Sequence, residues 1–299
     1  MASQDSNHQL YYVPAQSKWP IVGSIGLLVT VVGAGSMMNS LSAGTGSTVG
    51  HWIFFAGALI LAYMLFGWFK HVVEENHQGL YSPQMDRSFR MGMGWFIFSE
   101  VMFFAAFFGA LFYVRTLAGP WLDGAGAKGD TAMLWPNFEF TWPLLQNPDP
   151  QLFPGPTETI SPWQLPLLNT IILISSSVTV TFAHHALRAG KRAALKGWLA
   201  LTVVLAVVFL GLQLAEYVHA YNDLGLTLNS GIYGSTFFML TGFHGAHVLM
   251  GTIILFVMLL RIQRGHFTPE RHFGFEAAAW YWHFVDVVWV GLFIFVYIF

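Results

Sequence analysis

The chain has 299 residues, of which 55% are hydrophobic, 17% aromatic and only 9% charged, with a formal charge of −2 and no cysteine. A soluble domain carries about 25% charge, so this composition excludes a water-soluble globule and a disordered chain, as the mean hydropathy of +0.55 agrees. The absence of a basic surface excludes a nucleic-acid partner, and the absence of cysteine excludes disulfides, iron–sulfur clusters and thiol catalysis. An all-α integral membrane protein remains.

Residues 1–18 are mostly polar and read as a cytoplasmic N-terminal segment; Asp5 and the single cation Lys18 make a poor signal-peptide n-region. Ser40-Leu41-Ser42-Ala43 mimics a cleavage site, but the first apolar stretch is read as a retained helix. A bilayer core needs roughly 20 apolar residues in a helix. Seven stretches meet that demand: 19–39, 50–69, 89–114, 164–187, 197–219, 235–260 and 277–299. They are apolar all round, as lipid-embedded helices are. Alternating ten-residue strands, the barrel signature, are absent from the pattern.

Lys and Arg set the orientation. With the N-terminus inside, the inner segments hold Lys18, Lys70, Arg87, Arg90, Arg188, Lys191, Arg192, Lys196, Arg261, Arg264 and Arg271, and the outer ones only Arg115 and Lys128. The expectation is N-in, C-out. The one long connection, 115–163, then lies outside, in the periplasm; it is rich in Pro and Gly and is expected to pack over the outer face of the bundle or of a partner. No internal repeat supports an inverted-repeat transporter.

Ionisable residues at membrane depth are costly and mark candidate sites. The inner loop after the second helix, Lys70 to Gln78, is unusually polar, and Trp68 beside it suits a headgroup boundary. Glu100 lies roughly 16 Å from the inner end of the third helix. Its own-helix neighbours Phe96, Ile97, Phe103 and Phe104 offer no counter-ion, so the neutral acid is the expected form. Two readings stand: a proton-handling, carbodiimide-reactive carboxyl, or an acid bonded to a neighbouring helix. His184 and His185 end the fourth helix but point about 100° apart. Glu216 and His219 close the fifth. His244 and His247 share a face of the sixth, where His244 is placed to meet His283, and Gly242, Gly245, Ala246 and Gly251 suit close helix packing. Arg261 is a second headgroup candidate. Glu276 complements the dipole at the start of the last helix, and His283 and Asp286 share one of its faces. Structural roles are favoured for His184, His185, Glu216, His244, Glu276, His283 and Asp286. No histidine set has a recognisable metal signature.

Phe98-Ser99-Glu100-Val101-Met102-Phe103-Phe104 resembles the third helix of the cytochrome c oxidase subunit III family. So do Pro166-Leu167-Leu168-Asn169-Thr170 with Ala183-His184-His185, and Tyr233 to Phe238 with Thr241 to His247. The strongest match runs from His266-Phe267-Thr268 through His272-Phe273-Gly274-Phe275-Glu276-Ala277 to Trp280 and Trp289. The resemblance spans nearly the whole chain, from Trp19-Pro20 onward.

The resemblance implies a core oxidase subunit with no catalytic residue, metal or cofactor site of its own. Haem and copper then belong to partner subunits I and II, subunit I being the main contact, and cytochrome c is the donor. Helices one and two would stand apart from three to seven across a V-shaped, lipid-filled cleft. Phospholipid contact falls on Trp68, Glu75, His247 and Arg261, and Glu100 matches the family's carbodiimide-reactive carboxyl. The implied role is to stabilise subunit I, sustain proton uptake, prevent turnover inactivation and hold lipids. Two departures stand out: the 115–163 loop is longer than in mitochondrial forms, and Glu74 replaces a lipid-binding Arg. The expected location is a bacterial inner membrane. Other readings are the third subunit of a quinol oxidase, a stand-alone haem protein using His244 and His283, or a proton-coupled transporter using Glu100 and Asp286.

Overall fold

The computed structural model describes residues 15–126 and 129–299. Most of the expected N-terminal segment, including Asp5, and the outer cation Lys128 lie outside the described residues. Among those described there is no β-strand. Seven helices are long and apolar enough to cross a bilayer: α1 (Trp19–Ser42), α2 (Val49–His77), α3 (Pro83–Tyr113), α4 (Leu165–Arg188), α5 (Arg192–Asn222), α6 (Ile232–Gln263) and α7 (Phe273–Leu292). The chain divides within α3 into two compact units, the first ending at Phe89 and the second running Arg90–Phe299.

The helices outrun the apolar stretches that announce them. The polar segment after Phe69 is not a loop: α2 continues to His77, with Lys70 Nζ 3.7 Å from Glu74 one turn on. Likewise α5 starts at Arg192, and α7 starts at Phe273, before the apolar run opens at Ala277. Polar turns remain helical because the backbone bonds of a helix close internally, whatever the side chains meet. A wider π-helical turn, Val114–Ala118, extends α3, and a second, Phe293–Ile298, extends α7.

The first unit is a helical hairpin that packs through its glycines. The buried positions of α1 are Trp19, Gly23, Gly26 and Gly33, and those of α2 are Gly50, Gly57 and Gly67. A Cβ on Gly33 would strike the backbone of Phe54, and one on Gly57 the backbone of Thr30. Lipid offers no hydrophobic gain for pairing, so close backbone approach supplies the dispersion contact instead. At the open end of the hairpin Trp19 Nε1 donates to His71 Nδ1 at 2.8 Å.

The second unit packs by side chains. α7 sits at its centre, burying Phe275, Tyr281, Trp282, Val285, Trp289 and Leu292. Its indoles donate across to α4: Trp282 Nε1 to Ser176 Oγ at 2.9 Å and Trp289 Nε1 to Thr170 Oγ1 at 2.9 Å. Thr179 and Thr202 join α4 to α5 at 2.8 Å, and Tyr217 donates to Thr241 across α5 and α6 at 2.7 Å. The long connection packs on one end of this unit, against the segment that joins α5 to α6. Thr157 N donates to Leu224 O at 2.9 Å, Asn147 Nδ2 donates to Ser230 O at 3.2 Å, and Trp142 lies edge-on to Tyr233. Two one-turn helices, Gly119–Leu122 and Thr131–Leu134, interrupt it.

Candidate functional site

Glu100 lies near the middle of α3 and His247 at the middle of α6. Their side chains meet, with His247 Nε2 3.0 Å from Glu100 Oε2 and only 15% and 22% of the two side chains exposed. The counter-group absent from α3 itself is therefore supplied from α6. Helix geometry fixes the imidazole: His247 Nδ1 lies 2.6 Å from the carbonyl oxygen of Phe243, one turn back. A carbonyl only accepts, so Nδ1 carries a hydrogen. Nε2 then has two options. It accepts from a neutral carboxylic acid, or, in the imidazolium, it donates to a carboxylate. Either way a single proton lies between carboxyl and ring.

Aromatic rings wall the pair. The His247 ring lies 5.0 Å from Phe104, 5.8 Å from Phe103 and stacks at 6.5 Å on Tyr281. Phe103 also meets Phe243 edge-on. Excluding water this way strengthens the acid–imidazole bond, since little competes for it.

The other residues singled out in the sequence fall into separate places. Trp68 is exposed and stacks on Phe69. Glu75 is half-buried and accepts from Tyr81 OH at 2.7 Å; both belong to the first unit. In the second unit Arg261 is half-buried, its guanidinium 4.3 Å above the Phe267 ring. Glu276 pairs with Arg90 at 2.5 Å. His184 packs beside His272 and Phe275. His185, expected to be buried, is exposed; its neighbour takes the inward position, and one residue on is about 100° round the helix. Glu216, placed by sequence in a last turn, lies one and a half turns inside because α5 continues to Asn222. It is buried, accepting from Tyr297 OH at 2.6 Å and Gln213 Nε2 at 3.2 Å on the same oxygen.

His244 does not meet His283. His244 is buried and its Nε2 donates to Val285 O at 3.1 Å. His283 instead contacts α4, with Nδ1 2.6 Å from Ser177 Oγ and Nε2 3.4 Å from Thr181 Oγ1. A pair of axial haem ligands needs two free ring nitrogens aimed at one place, and these two rings lack that arrangement. Among the described residues no cluster of three or more His, Asp or Glu is placed to hold a metal ion.

Sequence reasoning passed over Arg90, Ser177, Thr181, Gln213 and Tyr297 as partners. The run Ser175-Ser176-Ser177 with Thr179 and Thr181, hydroxyls along an apolar helix, was the available signal for α4. Nothing local signals Tyr297, whose direction depends on the π turn.

Seven apolar helices in two packed units define a multi-span membrane protein of the helical class. The family model for "Cytochrome c oxidase subunit III" matches residues 8–125 and 133–299. Cytochrome c oxidase subunit 3 of Arabidopsis thaliana is 40% identical over 294 residues, covering 98% of this chain and 97% of that one. The Marchantia polymorpha protein of the same name is 41% identical over 288 residues, covering 96% and 95%. A probable cytochrome c oxidase subunit 3 of Rickettsia felis is 38% identical over 295 residues, covering 97% and 95%. The chain belongs to the cytochrome c oxidase subunit III family: it is subunit III of a haem–copper oxidase, a membrane component of the respiratory chain.

Proposed function

We propose that this subunit serves the oxidase complex without holding an electron carrier itself. Haem and copper sit in subunits I and II, subunit I is the main contact, and cytochrome c feeds the complex. The chain steadies subunit I, sustains proton uptake and slows turnover inactivation. The observation that carries this reading is the Glu100–His247 pair. A buried acid spends its bonding capacity on an imidazole whose other nitrogen is tied to Phe243 O, which suits holding one proton and leaves no ring nitrogen for a metal.

Lipid binding is assigned to the ends of the helices. Arg261 lies in the last turn of α6, where the negative end of the helix dipole favours its cation and a phosphate complements its charge. Trp68 and Glu75, in the last three turns of α2, suit the same headgroup layer. His247, at mid-helix and bonded to Glu100, is better fitted to a lipid chain's depth than to a headgroup. The asymmetry of Lys and Arg supports N-in, C-out, and the Rickettsia relatives make a bacterial inner membrane a consistent home.

Carbodiimide treatment of the purified complex tests the site. Glu100 is expected to carry the label and Glu100→Gln to lose it; unchanged labelling in that variant defeats the assignment. Glu100→Ala is expected to leave initial turnover mostly intact. An immediate total loss in a normally assembled complex would defeat the supporting role.

A further inference from the structure

Among the described residues no carboxylate pairs with Arg261. Its guanidinium is half-buried and lies 4.3 Å above the Phe267 ring. The buried Nε has no hydrogen-bond partner, and Nη1 reaches the Met258 sulfur at 4.0 Å. Arg90 makes the contrast. It too lies over a ring, Phe273 at 5.0 Å, but Glu276 balances its charge. A cation partly withdrawn from water calls for an anion, and a guanidinium suits the oxygens of a phosphate.

Two residues outside α6 set where this guanidinium lies. Arg192 opens α5 and spreads its fork over three carbonyls: Nη1 donates to Ile262 O at 3.4 Å, and Nη2 to Gly265 O at 3.2 Å and Phe267 O at 2.6 Å. It thereby ties the last turn of α6 to the segment that follows and fixes Phe267, which is buried. Gly274 is the second residue of α7. A Cβ there would come 3.2 Å from Arg261 Nη1 and 3.6 Å from the Phe267 ring. Alanine serves a helix better than glycine, and the φ of Gly274 is not left-handed. The backbone therefore has no need of this glycine, and the room it leaves goes to Arg261.

We infer that Arg192 and Gly274 are positioning residues for a phospholipid phosphate at Arg261: Arg192 anchors the ring on which the guanidinium rests, and Gly274 leaves it the space to stay there. A ring attracts the cation without neutralising it, so the charge remains available to the phosphate. The inference rests on the assignment of a lipid headgroup to Arg261, and the test separates the two.

The purified complex is stripped of lipid with detergent and titrated with phosphatidylglycerol, and bound lipid is read by native mass spectrometry. Arg261→Gln is expected to lose a bound lipid; parent-like binding in that variant would defeat the lipid assignment. Inorganic phosphate at equal concentration is expected to leave the lipid in place; displacement would give the site to free phosphate and defeat the same assignment. With the lipid lost in Arg261→Gln, the two positioning residues are tested in turn. Gly274→Ala crowds Nη1 and is expected to weaken lipid binding about threefold. Arg192→Lys keeps the charge but not the fork, and is expected to weaken it about tenfold. Parent-like affinity in either variant would overturn the role of that residue while the lipid assignment stands. In the Arg261→Gln background neither change should lower the remaining lipid binding further, because both act through Arg261. An added loss there would overturn the inference, since a general packing defect would show it and a positioning role would not.

Discussion

The α1–α2 hairpin and the α3–α7 bundle are both lipid-embedded, yet they are held by different physics. The hairpin brings backbone against backbone across Gly33 and Gly57, and its larger side chains point outward. The bundle fills the space between its helices with indoles, phenyl rings and hydroxyls, bonded in cross-helix pairs. Neither can rely on the hydrophobic effect to join helices, because lipid tails are as apolar as leucine. The hairpin solves this by contact area, and the bundle by contact area plus polar satisfaction. One therefore breaks when something is added, and the other when something is taken away.

The most damaging change should be an addition to the hairpin. Gly57→Leu drives a side chain into the Thr30 backbone, which has no rotamer to yield. A cost of about 3 kcal/mol is expected, read as loss of energy transfer between labels on α1 and α2. Retained transfer would show that the helices need no backbone contact. A subtraction from the bundle comes next. Glu216→Leu strands the Tyr297 hydroxyl and the Gln213 amide inside it, at about 2 kcal/mol. Glu216→Gln, which keeps an accepting oxygen, should cost much less; equal losses in thermal unfolding of the complex would mean that acceptance is not what matters. The smallest effect belongs to Trp289→Phe. It removes one indole donor, while Thr170 still donates to Pro166 O. About 1 kcal/mol is expected by the same unfolding measurement, and a loss as large as that of Glu216→Leu would place packing above polar satisfaction in the bundle.

The number and class of the helices were legible because apolar runs must match bilayer thickness, a constraint few other folds impose. Helix ends were less so. Lys70 and Glu74 look like loop residues by polarity, yet they pair along a continuing turn of α2. The depth of Glu100 was legible from counting, but its partner lies 147 residues away, and spacing along one helix says nothing about such a meeting. The same holds for Arg90 and Glu276, 186 residues apart. His247 illustrates the converse. Resemblance assigned it a lipid contact, and nothing in the sequence announced that its ring, placed by the turn that ties Nδ1 to Phe243, also reaches an acid.

The π turn at Phe293–Ile298 has a consequence for how α7 ends. An α-helical turn rotates about 100° per residue, so eight such steps would leave Trp289 and Tyr297 some 80° out of line. Wider winding, closed by bonds five residues apart, advances less per step and swings the two rings onto one side, 5.9 Å between centroids. The phenol thus arrives over Glu216 with its indole neighbour beneath it. Trimming a single residue from this coil would unwind the phase and turn the hydroxyl toward the bilayer, although every amino acid that touches Glu216 would still be encoded.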